Sequence, residues 1–246
     1  LSPKEEIIMS TFIGIDLGTT FSAVAAIDDT GRPIIVANRD GGNTTPSVVE
    51  FKEDGAIEVG EQARRRLFLD DNAIGRFKRA MGTSRTYGVP FSRGQTYTPT
   101  QLSSFVLKKL IQDTEAAVGP IADVIVSIPA NFANEARDAT LAAANAAGFD
   151  IKFIVNEPTA AALYYAYKGG TELSGTYAVY DLGGGTFDIS IIRVQGQDVE
   201  VLAANGITQC GGDDFDRALH QVIKNKYKQI TGEELDDEDF SVNDAE

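Results

Sequence analysis

A repeated strand–turn–strand unit constrains this chain more than any other feature of its sequence. The segment 177–193 reads Tyr-Ala-Val-Tyr-Asp-Leu-Gly-Gly-Gly-Thr-Phe-Asp-Ile-Ser-Ile-Ile-Arg, with β-favouring residues on both sides of three consecutive glycines. The segment 12–26 has the same pattern, because Asp16-Leu-Gly18 corresponds to Asp181-Leu-Gly183. This repetition indicates an internal duplication. It predicts two like turns that face one another.

The residues of these turns are suited to a phosphate and a metal ion. Thr20-Phe21 corresponds to Thr186-Phe187, and the later copy has one extra glycine. Glycine lets a ligand approach the backbone closely, and successive backbone N–H groups can form an anion-binding concavity. A carboxylate at a strand end, such as Asp16 or Asp181, can hold a hydrated cation. A single Asp-x-Gly turn is common in hairpins, so the argument depends on the matched pair.

Composition and short motifs exclude several classes of function. The net charge of −14, from 22 basic and 36 acidic residues, argues against a nucleic-acid or anionic-membrane partner but leaves a phosphate ligand open. Cys210 is the only cysteine, which disfavours disulfides and favours a reducing cytoplasm. His220 is the only histidine, so a Ser-His-Asp triad or a histidine-bound zinc is not expected. The sequence contains neither a P-loop nor a Gly-x-Gly-x-x-Gly motif.

The ends of the chain carry few signals. No apolar run reaches spanning length, and the first six residues do not resemble a signal peptide. Met9 is a candidate native start, which would make Leu1–Ile8 an extension. The last stretch, 231–246, is very acidic.

Hydrophobic periodicity and turn residues predict an α/β chain in which the second copy of the duplicated unit is incomplete. The predicted strands are 12–16, 21–27, 33–37, 47–51, 124–129, 151–156, 176–181, 186–194 and 199–204. The predicted helices are 61–69, 73–81, 99–119, 135–147, 213–230 and a helix from 157 to the glycines at 169–170. The segment 39–46 is predicted as a loop, and the segment 83–98 as a loop or an irregular small sub-domain. Three consecutive arginines, 64–66, are interpreted as a solvated helix face.

Several stretches carry a family resemblance. They are Ile15–Thr20, Asn43–Ser47, Val59-Gly60, Phe77–Arg79, Ile128–Ala130, Asn156–Leu163, Tyr180–Asp188 and Gly211–Asp216. With these motifs in this order, the sequence resembles the nucleotide-binding domain of the seventy-kilodalton heat-shock chaperones, the DnaK-like proteins, from about residue 12 to about residue 230. The resemblance implies an actin-like, ribonuclease-H-like duplicated fold of two lobes with a nucleotide cleft between them. Residues 1–171 would form the first lobe, with a small peripheral sub-domain at about 46–98, and residues 172–246 a partial second lobe.

The resemblance also implies roles for individual residues, with ATP or ADP and Mg²⁺ as ligands and K⁺ as a further candidate cation. The implied phosphate-binding residues are Gly18, Thr19, Thr20, Phe21, Gly183, Gly184, Gly185, Thr186 and Gly212. Asp16 and Asp181 would hold Mg²⁺, largely through its waters. The implied catalytic residues are Lys78, Glu157, Thr186 and Asp188. Pro129 and Arg137 would resemble the switch that links the nucleotide state to a partner domain.

The partners implied by the resemblance are a nucleotide-exchange factor, a J-domain co-chaperone and unfolded client peptides, the last through a domain outside this sequence. Phe153 stands where the family has an arginine that helps dock the J-domain, which puts conventional J-domain stimulation in question. Asn131, Ile207 and Cys210 also depart from the family pattern, and the segment 81–99 is shorter than in many members.

Alternative functions remain open from the sequence. In the family, the adenosine is gripped by elements that follow the last residue of this chain. We therefore expect either part of an ATP-driven chaperone or a shortened interaction module with little ATPase activity. Sugar kinases and actin share the paired Asp-x-Gly turns, but the stretch Asn156–Ala162 argues against both.

Overall fold

The structure is a computed structural model that describes residues 11–92, 94–151, 153–170, 173–207 and 209–235. The predicted extension 1–8 and the acidic tail beyond residue 235 lie outside the described residues. The strands are β1 (Thr11–Asp16), β2 (Phe21–Ile27), β3 (Pro33–Ile35), β4 (Thr45–Pro46), β5 (Val49–Phe51), β6 (Ile57–Val59), β7 (Ala73–Ile74), β8 (Tyr87–Gly88), β9 (Thr96–Tyr97), β10 (Ile121–Ile128), β11 (Ile154–Asn156), β12 (Ser174–Leu182), β13 (Phe187–Gln195) and β14 (Asp198–Ile207). The helices are α1 (Glu61–Arg64), α2 (Pro99–Val118), α3 (Asn134–Ala146), α4 (Glu157–Gly169) and α5 (Gly212–Thr231), with 3₁₀ turns at Phe77–Ala80 and Pro90–Ser92. Within the described ranges, no helix is both long and apolar enough to cross a membrane.

The N-terminal sheet has six strands, in the order β11-β10-β1-β2-β3 with β4 paired to β2. β1 pairs with β2 as an antiparallel hairpin and with β10 in parallel. The side chains of β1 alternate, so Ile13 and Ile15 are buried whereas Phe12 is 63% exposed. Helices α2 and α3 lie in the connections that precede and follow β10. This arrangement places Asp16 and Asn156 at the same edge of the sheet, because parallel strands end on the same side.

One apolar core stabilises the N-terminal sheet and its helices. Its fully buried members include Val126 of the sheet and Leu107 of α2. Thr98 begins α2 with a capping box, in which its side chain and that of Gln101 bond to each other's backbone N–H groups. The strands that lead to the candidate site are therefore held by a continuous packed layer.

The C-terminal sheet is a meander of three antiparallel strands, β12-β13-β14. Helix α4 packs on it, and its buried cluster consists of Ala162, Ile192 and Val194. Other apolar residues of this region are exposed, among them Tyr180 at 67% and Ile207 at 54%. Helix α5 has no buried residue among those described, although its sequence is strongly amphipathic.

Several predicted elements are confirmed, and the predictions at 73–81 and 61–69 are wrong in whole or in part. The long helices α2, α3, α4 and α5 lie within two residues of their predicted bounds. The predicted helix 73–81 is instead β7 followed by a 3₁₀ turn, because Ile74 pairs with Val49 and Arg76 adopts a left-handed conformation with φ 60°. The predicted helix 61–69 ends at Arg64, and Phe68 is also left-handed, with φ 72°.

The predicted loops contain short pairs of strands. β4 lies at the end of the predicted loop 39–46, where Pro46 pairs with Phe21 of β2. The predicted loop 83–98 contains the antiparallel pair β8–β9. These short strands form because they pair with other segments of the chain, and the local periodicity of the sequence does not indicate such pairing.

Candidate functional site

The first Asp-Leu-Gly turn connects β1 to β2 and is held by serine side chains of β2 and of the segment that follows β4. The N–H of Gly18 donates to Ser22 Oγ at 3.1 Å, and Ser47 Oγ donates to the carbonyl of Gly18 at 2.8 Å. A Cβ at Gly18 would overlap the carbonyl oxygen of Phe21, so the turn requires glycine. Ser127 at the end of β10 donates to Asp16 Oδ1 at 3.0 Å. This bond fixes the carboxylate at the edge of the sheet.

The second turn connects β12 to β13 and is held by the start of α5. The N–H of Gly183 donates to the carbonyl of Thr186 at 2.9 Å and closes the turn. The N–H groups of Gly212 and Asp213 donate to the carbonyls of Gly183 and Gly184 at 3.1 and 2.8 Å. The N–H of Gly212, which the resemblance assigns to nucleotide binding, is therefore already bonded within the protein.

The structure brings the two turns into contact. A Cβ at Gly184 would overlap Thr20 Oγ1, and one at Gly185 would overlap Thr19 Cγ2. Only glycine allows the backbone of the second turn to lie so close to the threonine side chains of the first turn. Thr20 Oγ1 is buried without a hydrogen-bond partner among the described residues. A buried hydroxyl of this kind favours a ligand or an ordered water beside it.

A cleft of about 630 Å³ opens beside the two turns. It is lined by Asp16, Gly18, Thr19, Thr20, Phe21, Lys78, Ser127, Glu157, Ala160, Ala161, Asp181, Gly183, Gly184 and Thr186. Most of the residues named from the sequence thus share one cleft. Gly185, Asp188 and Gly212 are not part of this lining. Gly185 belongs to the second turn, Asp188 lies against Gly206, and Gly212 lies against Gly184.

Lys78 and Glu157 form an ion pair on the wall of the cleft. Lys78 Nζ lies 3.0 Å from Glu157 Oε1, and Lys78 is only 8% exposed. The 3₁₀ turn Phe77–Ala80 carries the lysine, and the first position of α4 carries the glutamate. The Lys78 ammonium also lies 5.8 Å from the centre of the Phe132 ring, which is within cation–π range. A cation and a carboxylate are therefore held beside the Asp-Leu-Gly turns.

The carboxylates of the site interact unfavourably with one another. Burial raises the pKa of Glu157, and the charge of Lys78 opposes this shift. Burial also raises the pKa of Asp181, with a further contribution from the negative charge of Asp16. Asp188 behaves in the same way, because burial and the charge of Asp181 raise its pKa. Such a group of carboxylates is suited to a cation, which would remove the repulsion.

Sequence reasoning missed two arginines that contact the site. Arg79 Nη2 lies 3.1 Å from Asp214 Oδ2, which connects the 3₁₀ turn to α5. The guanidinium of Arg64 lies 5.1 Å from the centre of the Phe21 ring at the cleft. Arg64 is half-buried, whereas Arg65 and Arg66 are exposed as predicted. The pairing of Arg79 joins residues far apart in the chain, so the sequence offered no direct signal for it.

Sequence reasoning also missed Ser127, Ala160 and Ala161 in the cleft lining. The two alanines lie on the face of α4 that carries Glu157, where an alanine-rich helix allows the cleft to form. Ser127 interrupts an apolar strand, Val-Ile-Val-Ser-Ile. A polar residue in a buried strand was the one signal that could have drawn attention to it.

The residues compared with a conformational switch are joined by hydrogen bonds near the ion pair. Arg137 Nε donates to the carbonyl of Phe132 at 3.2 Å, and Arg137 Nη2 donates to Asn156 Oδ1 at 3.1 Å. The N–H of Phe132 donates to the carbonyl of Pro129 at 3.2 Å. Arg137 thus connects the loop after β10 to the residue before Glu157.

The positions that depart from the family pattern lie mostly at the surface. Phe153 is 68% exposed and Ile207 is 54% exposed, while Cys210 is half-buried with a free thiol. Asn131 differs from these, because its amide approaches Gly206, where a Cβ would lie 2.5 Å from Asn131 Nδ2. The same Gly206 contacts Asp188, so Asn131 lies close to a predicted catalytic carboxylate.

A comparison with protein families agrees with this geometry. A family model described as Hsp70 protein matches residues 12–243, a range that contains both turns, the Lys78–Glu157 pair and α5. The match covers nearly the whole chain of 246 residues. The chain therefore belongs to the Hsp70 family, whose members have an actin-like ATPase fold.

Proposed function

We propose that this chain binds ATP with Mg²⁺ and hydrolyses it, as the ATPase domain of a molecular chaperone. The observation that carries the proposal is the cleft in which two Asp-Leu-Gly turns meet beside the Lys78–Glu157 pair. Family membership supports the same conclusion, because Hsp70 proteins are generally ATPases. The nucleotide state would be coupled to client binding by a domain outside this sequence.

The two turns would hold the phosphates from opposite sides. In the first turn, Gly18, Thr19, Thr20 and Phe21 would contact them. Thr20 Oγ1 has no hydrogen-bond partner in the part of the chain that the structure describes, so its hydroxyl is available for a phosphate. In the second turn, Gly183, Gly184 and Thr186, which line the cleft, would contact them. Asp16 and Asp181 would hold the Mg²⁺, because the negative charge of Asp16 raises the pKa of Asp181 and a bound cation would remove this repulsion. Bound Mg²⁺ would neutralise phosphate charge as it develops during transfer.

Hydrolysis would depend on charge and on the position of one water molecule. Phosphoryl transfer needs electrostatic stabilisation more than covalent chemistry, and the Lys78 ammonium is held rigidly for this purpose. A carboxylate with a raised pKa is a better proton acceptor than an ordinary one. Glu157 and Asp188 both meet this requirement, because burial raises the pKa of each, although Thr186 opposes the shift of the pKa of Asp188. We propose that these three residues position and activate the attacking water.

Replacement of Lys78 tests this mechanism most directly. We expect Lys78→Ala to lower single-turnover ATP hydrolysis by about 100-fold or more, because a preorganised charge of this kind typically contributes that much. Nucleotide binding should be largely retained, since the turns remain. Lys52→Ala is a matched control, because Lys52 also lies 3.0 Å from a glutamate, Glu58, but at the surface. Near-normal hydrolysis by Lys78→Ala would refute the assignment.

A second candidate function is an interaction module with little ATPase activity. The observation in its favour is the exposed apolar surface of α5 and the C-terminal sheet, where Phe215, Leu219 and Val222 are each more than half exposed. Isothermal titration with ATP and Mg²⁺ separates the two candidates. Micromolar binding followed by slow turnover supports the ATPase, and the absence of binding supports the module.

The remaining parts of the proposal concern organisation, partners and location. We propose a division into two lobes near residue 171, which limited proteolysis can test at the glycines Gly169 and Gly170. A nucleotide-exchange factor and a J-domain co-chaperone are proposed partners. Because Phe153 exposes an aromatic ring where the family has a charge, we expect weak stimulation of hydrolysis by a J-domain protein. A cytoplasmic location is proposed from the family and from the single free thiol of Cys210.

A further inference from the structure

The second turn is held from behind by a cluster of ion pairs that the catalytic proposal does not use. Arg79 Nη2 lies 3.1 Å from Asp214 Oδ2 and 3.8 Å from Asp213 Oδ2. Arg76 Nε lies 2.6 Å from the same Asp213 oxygen. We call these four residues the arginine–aspartate clasp. The clasp joins the 3₁₀ turn that carries Lys78 to the first turn of α5.

Arg79 also contacts the glycine turn directly. A Cβ at Gly185 would lie 2.7 Å from Arg79 Nε, so the guanidinium is packed against the backbone of the turn. The Arg79 side chain is 16% exposed, and its Nε is buried. A planar group in this position excludes other conformations of the glycines, which by themselves have great conformational freedom.

The acidic half of the clasp is connected to the same turn through the backbone. Asp213 donates its N–H to the carbonyl of Gly184 at 2.8 Å. Asp214 Oδ2 accepts the N–H of Gly211 at 3.0 Å and thereby caps α5. A displacement of Asp213 would therefore move the hydrogen-bonded carbonyl of Gly184, and a displacement of Asp214 would release the N–H of Gly211.

We propose that Arg79 is a positioning residue, which holds the second turn and the start of α5 against the first turn before any nucleotide binds. The consequence of this positioning, a phosphate site that is formed before the ligand binds, rests on the proposed function. Since Lys78 is the adjacent residue, one short 3₁₀ turn would set both the catalytic cation and the second phosphate loop. A site held in this way loses little entropy when the ligand binds.

Hydrogen exchange in the nucleotide-free protein tests the positioning role without any assumption about ATP. The amides of Gly183, Gly212 and Asp213 are bonded at the turn, so their exchange reports its opening. We expect Arg79→Met to accelerate exchange at these amides by about tenfold or more, with little change in β1 and β10. Arg79→Lys should restore part of the protection, because it keeps the charge but not the planar contact.

Two further variants provide the comparison. Arg193 Nη1 lies 3.1 Å from Glu200 Oε2, the same distance as in the Arg79–Asp214 pair, but at the exposed face of the C-terminal sheet. Arg193→Met should leave exchange at the three amides unchanged. Arg76→Met removes an ion pair of the clasp without a contact to Gly185, and we expect an intermediate acceleration of about threefold.

The outcomes also separate this inference from the proposed function. Arg79→Met should raise the Kd for ATP with Mg²⁺ by about tenfold. It should lower the rate of hydrolysis of bound ATP less than Lys78→Ala does. Unchanged exchange at Gly212 and Asp213 would overturn the positioning role. So would an equal acceleration in β1, which would indicate general support of the fold. If the wild-type protein binds no ATP, the proposed function fails while the exchange data still decide the role of Arg79.

Discussion

The two Asp-Leu-Gly turns have the same sequence but are supported from different directions. The first turn follows β1, whose side chains are alternately buried, and it is bonded to Ser22 of β2, to Ser127 of β10 and to Ser47, which follows β4. The second turn is bonded to the start of α5 and packed against Arg79 from another part of the chain. A duplicated motif therefore determines the path of the backbone locally. Its rigidity depends on what packs around it.

The two sheets that carry the turns also differ, in the size of the apolar core that each of them buries. The core of the N-terminal sheet is continuous from β1 through α2, whereas the buried cluster of the C-terminal sheet is Ala162, Ile192 and Val194. Apolar residues of the C-terminal sheet and α5 are exposed instead. They include Tyr180, Leu182, Leu202, Ile207, Phe215, Leu219, Val222 and Ile230. We expect the second turn to belong to the less stable part of the molecule, because local stability follows buried apolar contact.

Alanine at the equivalent glycines should give the largest difference between the turns. In Gly18→Ala the added Cβ overlaps a backbone oxygen of Phe21, which no side-chain rotation can relieve. In Gly183→Ala the nearest atom, the Thr186 carbonyl oxygen, is 3.5 Å away at ordinary contact distance. We expect Gly18→Ala to lower the free energy of unfolding by about 3 kcal/mol or more, and Gly183→Ala by less than about 1 kcal/mol.

Urea unfolding followed by circular dichroism measures both variants. Gly14→Ala is a suitable control, since a Cβ there meets no atom within 4 Å. Equal losses in Gly18→Ala and Gly183→Ala would contradict the view that the first turn is the more tightly enclosed.

This pair also indicates how far sequence alone could go. The matched motifs predicted two like turns that face one another, because the chemistry of Asp, Gly and Thr is local. The roles of Lys78 and Glu157 came only from the family resemblance. The motifs could not distinguish Gly18 from Gly183, since the difference lies in where Phe21 and Thr186 place their carbonyls. The clasp between Arg79 and Asp214 was equally hidden, because it depends on the packing of α5 against a distant turn.

The success of the secondary-structure predictions also depended on whether an element is determined locally or by a distant partner. Helices of thirteen or more residues, such as Pro99–Val118, were predicted well because their apolar period repeats several times. The segment 73–81 was not, because β7 forms only through its pairing with β5. A short apolar segment is compatible with both a helix and a strand until the segment with which it pairs is known.

Removal of two methyl groups from each core should give a smaller difference. Val126 and Val194 are 0% and 1% exposed, in the N-terminal and C-terminal sheets respectively. We expect Val126→Ala to cost about 2–3 kcal/mol, because its surroundings are packed on all sides and cannot collapse into the cavity. Val194→Ala should cost about 1 kcal/mol, because its cluster is small and has room to relax. The measurement is again urea unfolding, with amide exchange of β13 to detect a purely local loss. A larger cost for Val194→Ala would reverse the proposed order of stability.

The smallest expected effect concerns the aspartates of the two turns. Burial and the charge of Asp16 raise the pKa of Asp181 above its ordinary value of 3.8. The folded state therefore holds this proton more tightly than the unfolded state, and stability falls as the pH rises from 3.8 through the raised pKa. Asp181→Asn removes the penalty, so at pH 7 without Mg²⁺ the variant should be more stable than the wild type. The gain should be under about 1 kcal/mol, because Asp181 is exposed to the cleft and its interactions are screened by solvent.

Asp16→Asn should not give this gain in stability, although it relieves the same repulsion. The reason is the hydrogen bond that supports the first turn. Asp16 accepts a bond from Ser127 at 3.0 Å, and loss of the carboxylate weakens it. The difference in unfolding free energy between Asp181→Asn and wild type should shrink as the pH falls from the raised pKa to 3.8 and should reach its minimum below 3.8, where the wild-type side chain is neutral in both states. Mg²⁺ should reverse the order at pH 7, since it binds the folded wild type more tightly than the variant. A stabilisation of Asp16→Asn equal to that of Asp181→Asn would mean that repulsion alone governs the pair, and that Ser127 gives the first turn no advantage.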